Sequence, residues 1–203
     1  MNFVVYSSLT VTLLLTACST GSDGVYRRTY PTPEEAVVGR LEEAEQMADD
    51  LNQYSNTSFS EMPTKGTATF AGFSIIAVDA SSRTLALVGL ADLKANFDTS
   101  RISGTMSDFN GGYADGDINA YNGELAIKNG NIGLPTPNGF VADYSGKLTG
   151  NGETVVLGGD INGVFKGTPI RGLFAASDPA TTTATIDGTP ADDSVLAIVA
   201  KKN

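Results

Sequence analysis

The stretch GGDINGVFKGTPIRGLFAAS, Gly158 to Ser177, says the same thing twice: Ile161, Gly163 and Phe165, then Ile170, Gly172 and Phe174. A hydrophobe, a glycine and an aromatic at every second position have the period of a β-strand with one buried face. The same period extends in both directions. In Thr84–Phe97 one face carries Leu85, Leu87, Gly89, Ala91, Leu93, Ala95 and Phe97, and in Phe140–Gly150 one carries Phe140, Ala142, Tyr144, Gly146 and Leu148. From Lys65 onward no helical period intrudes, and eight strands are predicted at 66–77, 84–97, 100–108, 121–133, 139–149, 154–166, 169–176 and 195–202.

Asn-Gly and Asp-Gly pairs punctuate these runs at Asn110, Asp115, Asn129, Asn138, Asn151 and Asp187, and they read as turns because both residue types tolerate positive φ. Glycines sit two residues from an aromatic at Phe70 and Gly72, Tyr121 and Gly123, Tyr144 and Gly146, Gly163 and Phe165, and Gly172 and Phe174. Glycine weakens a flat strand, but it lets a sheet bend sharply while an aromatic covers the bare backbone. A sheet bent repeatedly toward one face closes on itself, with Val195–Lys201 pairing the first strand. The expected fold is mainly β, an eight-stranded antiparallel up-and-down β-barrel over residues 65–203.

Ahead of the barrel the period is helical. Thr32 caps, Pro33 takes the first helical position, and Glu35 completes a capping box. Over residues 32–54 Val37, Leu41, Ala44, Ala48 and Leu51 form one apolar stripe, opposite an acidic face, and the stripe is expected to pack on its own domain. Residues 177–194 read as a long polar connection.

The first 17 residues are uncharged and hold an apolar run, Val11 to Leu15, that suits a signal peptide. Leu15-Thr16-Ala17-Cys18 resembles the lipobox of bacterial lipoproteins, which implies cleavage before Cys18 and lipidation of its thiol. Residues 18–31 then form a lipidated tether. Ser19, where Asp would favour inner-membrane retention, points to a lipid-anchored protein of the outer membrane and the cell surface.

GLADLKANFDTSRISGTM, FVADYSGKLTG and VVLGGDINGVFKGTPIRGLFAAS, closing on AIVAKK, resemble the barrel domain of the transferrin-binding protein B family of Gram-negative surface lipoproteins. The resemblance covers about residues 65–203. It implies a non-enzymatic binding module for an extracellular protein or an iron-carrying small ligand. The other reading is a structural or partner-docking lipoprotein, facing the periplasm, with a filled barrel.

Chemistry is scarce. The chain has no histidine, and its only cysteine is Cys18, so neither a Ser-His nor a Cys-His pair can form. No enzymatic activity and no cofactor are expected. The net charge of −10 excludes a nucleic-acid partner, because no basic excess is available to neutralise phosphates. The segment Asn110–Tyr121 starts like a calcium loop, but Ala120 stands where glycine belongs and Ala126 occupies the twelfth position, so no metal is expected. Its Tyr113, Asp115, Asp117 and Tyr121 are the candidate ligand-binding residues. Contacts are expected on the loops around 108–121 and 177–194 rather than inside the barrel of a monomer.

Overall fold

The computed structural model describes residues 28–203 apart from Ser82; the signal peptide and Cys18 lie outside the described residues. Helix α1 (Pro33–Asn52) and a single 3-10 turn (Phe59–Glu61) precede β1 (Thr67–Ala80), β2 (Arg83–Asn96), β3 (Arg101–Tyr113), β4 (Asn119–Ile132) and β5 (Gly139–Gly150). Then come β6 (Glu153–Lys166), β7 (Gly172–Ser177), β8 (Thr183–Ile186), β9 (Thr189–Pro190) and β10 (Asp193–Lys202). Each of β1 to β6 pairs antiparallel with the next, and β10 closes the sheet by pairing with both β7 and β1. The result is a closed eight-stranded up-and-down barrel, as the alternation predicts.

The doubled motif splits between the two faces of the sheet. Phe165 pairs with Leu173 and Val164 with Phe174 across the β6–β7 turn. Cross-strand partners share a face, so this register sends Phe165 and Leu173 inward and Phe174 outward. Gly172 and Phe174 therefore do not line the core: a Cβ on Gly172 would collide with Leu51 of α1. The aromatic covers also act across strands rather than along them. Phe140 lies over Gly163 and Tyr121 over Gly150, leaving no room for a side chain at either glycine.

Two predicted turns are bulges. Asn110-Gly111 and Asn129-Gly130 lie within β3 and β4, where the register slips near Asp108 and Asn129. Asp108 and Asn129 both have φ of 54°, a left-handed value that Asp and Asn tolerate better than most side chains. Each bulge changes which alternate residues face inward, so β3 buries Ile102 and Met106 before the slip and Phe109 after it. That is why β3 runs on to Tyr113 instead of ending at 108.

The inward face is one continuous core. Phe70, Phe97 and Phe140 surround Phe165 at centroid separations of 5.8, 6.0 and 5.6 Å. Met62 and Ile132 close one mouth of the barrel; Tyr113, Ile186 and Ala191 close the other. The outer wall carries Asp92, Lys94, Ser145 and Lys147. This is the inverse of a lipid-spanning barrel, whose apolar residues face outward.

The helix packs on its own barrel through Ala44 and Leu51 of the expected stripe, but its buried face is rotated by one residue at the other positions. Ala36, Arg40, Ala44, Met47 and Leu51 are buried, whereas Val37 is only half-buried and Leu41 is exposed. The rotation follows from what lies beneath. Ala44, Met47 and Leu51 meet Phe73 and Val199 on the barrel wall, and Arg40 reaches the bulge, where both the carbonyl and the carboxylate of Asp108 accept from its guanidinium. Lys201 pairs with Asp50 near the helix end. As predicted, Thr32 caps the helix, its Oγ1 accepting from the Glu35 N–H at 3.2 Å.

The polar connection 177–194 holds two short strands, β8 and β9. Asp178 gathers its own turn, its carbonyl accepting from the N–H groups of Thr181 and Thr182. The chain then pairs with β6 as β8 and folds back through Asp187-Gly188 into β9. Alternation survives even in this polar segment, because Ala184 is buried over the mouth.

Candidate functional site

The antiparallel order puts the two predicted binding loops at the same end of the barrel. The β3–β4 loop (114–118), the β5–β6 hairpin and the β8–β9 hairpin all open there, with the β1–β2 turn beside them. Residues more than sixty positions apart thus form one surface. It is strongly acidic: Asp79, Asp115, Asp117, Glu153 and Asp187 stand at or beside these strand ends, Asp192 precedes β10 and Asp193 starts it. Arg83 is the one described cation in these turns.

Glu153 organises this end. The Tyr113 hydroxyl donates to Glu153 Oε2 at 2.9 Å, and the Tyr121 hydroxyl donates to Oε1 at 2.5 Å. Desolvation, then the hydrogen bond to Glu153 and its charge, push Tyr113 up to about 12. The same causes raise Tyr121 further, so both phenols stay protonated and act as donors to the carboxylate. Arg83 lies 4.0 Å from the centre of the Tyr113 ring and 3.1 Å from Asp115. The backbone N–H of Thr154 donates to Asp187 Oδ1 at 2.8 Å, joining the β6 start to the β8–β9 hairpin.

The four sequence-predicted residues have different fates. Tyr113, Asp115 and Asp117 meet at the acidic end; Asp115 and Asp117 are exposed and Tyr113 is half-buried. Tyr121 is 2% exposed, and its ring belongs to the core, so its part is to hold Glu153 rather than to touch a partner. Sequence reasoning missed Glu153 itself. A signal existed: Glu153 has the parity of Val155 and Leu157, so the alternation turns a carboxylate toward the apolar face at the mouth. Such a group needs donors.

Among the described residues no group of His, Cys, Asp and Glu is placed to hold a metal ion. Two hollows on the surface lie outside the barrel. One is an open groove on the outer wall of β1 to β4, between Lys94, Thr105 and Lys128. The other sits at the opposite end, floored by Ala68, Phe97 and Ile170. Comparison with protein-family models, with curated proteins and with solved structures finds no match.

Proposed function

We propose that this protein is an outer-membrane-anchored surface lipoprotein, a non-enzymatic binding module for an extracellular protein or an iron-carrying small ligand. The observation that carries the reading is the meeting of the 108–121 and 177–194 segments on one acidic surface. A face with that charge selects cationic partners and speeds their encounter. The packed interior leaves the loops as the place for contact. An extracellular protein with a basic face fits better than an iron carrier, since many carboxylates spread over several loops suit a broad surface.

The resemblance to the transferrin-binding protein B barrel supports the same reading at the level of architecture, while loops set the ligand. The other expectation, a periplasmic lipoprotein with a filled barrel whose acidic helix docks a partner, rests on the outer face of α1 alone, because Ala44, Met47 and Leu51 pack on its own barrel.

Immobilised full-length protein is exposed to the fluid outside the producing cells, and retained proteins are compared with those held by Asp115→Asn/Asp117→Asn. Both side chains are exposed, so the fold should survive the change. Retention of a basic protein should weaken roughly tenfold at low ionic strength, with the gap closing as salt rises. Equal retention by both proteins would remove the acidic face as the binding surface.

A further inference from the structure

The opposite end of the barrel is the electrostatic counterpart of the first. Lys65 precedes β1, Arg101 starts β3, Lys166 ends β6, Arg171 lies in the next turn, and Lys201 and Lys202 end β10. A chain of net charge −10 has 13 lysines and arginines, and it gathers six of them at one end. Among the described residues only Lys201 of this group makes an ion pair with a carboxylate, that of Asp50. Arg101 donates to the Asn131 amide oxygen at 2.6 Å and Lys166 to that of Asn56 at 3.3 Å, contacts that leave their charge uncompensated. Of the carboxylates here, Asp98 accepts from the Gly66 N–H at 3.0 Å, and Glu61 lies beside the hollow.

Apolar side chains project from the same end. Phe59 is 60% exposed and Leu134 51%, each on a connection rather than on a strand. The two connections are joined, since the Asn138 side chain donates to the Thr57 carbonyl at 2.8 Å. Between them and the barrel, Lys65 and Lys202 flank the hollow floored by Phe97 and Ile170. Isolated apolar tips set in a cationic rim do not make a protein-protein core, which needs contiguous apolar area with little charge. They match a bilayer interface, where acyl chains accept single side chains and anionic headgroups meet the cations.

We propose that this basic end rests on an anionic lipid surface, through Lys65, Arg171 and Lys202 with Phe59 and Leu134 dipping among the headgroups, so that the acidic end faces away from the membrane. The contact does not depend on lipidation of Cys18: an anchor would hold the protein near a membrane, and the charge asymmetry would set which end touches it.

The chain has no tryptophan, so a single introduced indole reports its own position. Full-length Phe59→Trp and Ala114→Trp, the second at the acidic end, are each reconstituted with vesicles carrying brominated acyl chains. These are made of phosphatidylglycerol with phosphatidylcholine, or of phosphatidylcholine alone. The Phe59→Trp protein should be quenched and blue-shifted on the anionic vesicles only, and the Ala114→Trp protein on neither. Each cation is worth about fivefold in attraction to such a surface, so Lys65→Gln/Arg171→Gln/Lys202→Gln should weaken docking about a hundredfold and abolish the quenching. Should that variant fold poorly, about 1 M salt on the Phe59→Trp protein must have the same effect. An unquenched indole in vesicle-bound Phe59→Trp, equal quenching in both proteins, or equal quenching on neutral lipid would each overturn the proposal. The first of these outcomes would leave a protein partner as the occupant.

Discussion

Glu153 shows how one side chain settles a surface. It is the acceptor for two phenols that come from β3 and β4, 40 and 32 residues earlier in the chain. Hydrogen bonds to a charged group contribute about 1.5–3 kcal/mol each, and an orphaned buried hydroxyl costs a comparable amount. The tyrosines also give the protein an alkaline limit. An unfolded tyrosine releases its proton near the ordinary value of 10.0, whereas Tyr113 in the fold holds it to about 12. Tyr30 behaves in the same way through burial and Glu43. Since these pKa values are raised, the stabilisation is fully present below about pH 10 and is lost as pH rises through about 12. Thermal melts across that window should fall steeply for the wild type and less so for Tyr113→Phe. Parallel curves would show that the Glu153 contact does not couple to stability. Glu153→Gln, which keeps an acceptor without its charge, should bring Tyr113 back toward the ordinary value by tyrosinate absorbance.

Helix α1 and the β3 bulge depend on each other. Asp108 takes a left-handed φ, and in doing so offers its carbonyl and carboxylate together to Arg40. Arg40 is buried while the Asp108 side chain is 58% exposed, so solvent screens part of their attraction. Apolar packing therefore contributes more to docking than the ion pair does. Leu51, fully buried, and Met47 each contribute about 1.5–3 kcal/mol through the area they remove from water. Leu51→Ala should cost about 2–4 kcal/mol of docking, and Asp108→Asn, which keeps the left-handed tolerance, about 1 kcal/mol. Hydrogen exchange can separate the two units. The α1 amides should lose protection in Leu51→Ala while those of β4 and β5 keep theirs. Equal loss in both would mean that the helix is an inseparable part of the barrel's cooperative unit.

The barrel as a whole carries an electric asymmetry from an acidic end to a basic one, with an apolar interior between them. This arrangement suits a protein held beside a surface and directed away from it. The proposed anchor has a direct assay. Metabolic labelling with a palmitate analogue should tag the wild type and not Cys18→Ser, and labelling that persists in the variant removes the lipobox reading.

Alternation and turn chemistry make the strands readable from residue order, because a half-buried strand must separate apolar from polar at every second position. Thr84–Phe97 shows this: each residue read as facing inward is buried. Two Asn-Gly pairs mislead, since the left-handed φ that makes a turn also makes a bulge, and a neighbouring strand is needed to distinguish them. The apolar stripe of α1 is displaced for a related reason. A buried arginine is intelligible only once Asp108, 68 residues away, is in place beneath it. Residue order is enough for the barrel and the capped helix, because both rest on local periodicity. It is not enough for the face that Phe174 takes, for the grip of Tyr121 on Glu153, or for the separation of acids and bases to opposite ends. Each of these depends on strand register, which is set by pairing between distant residues.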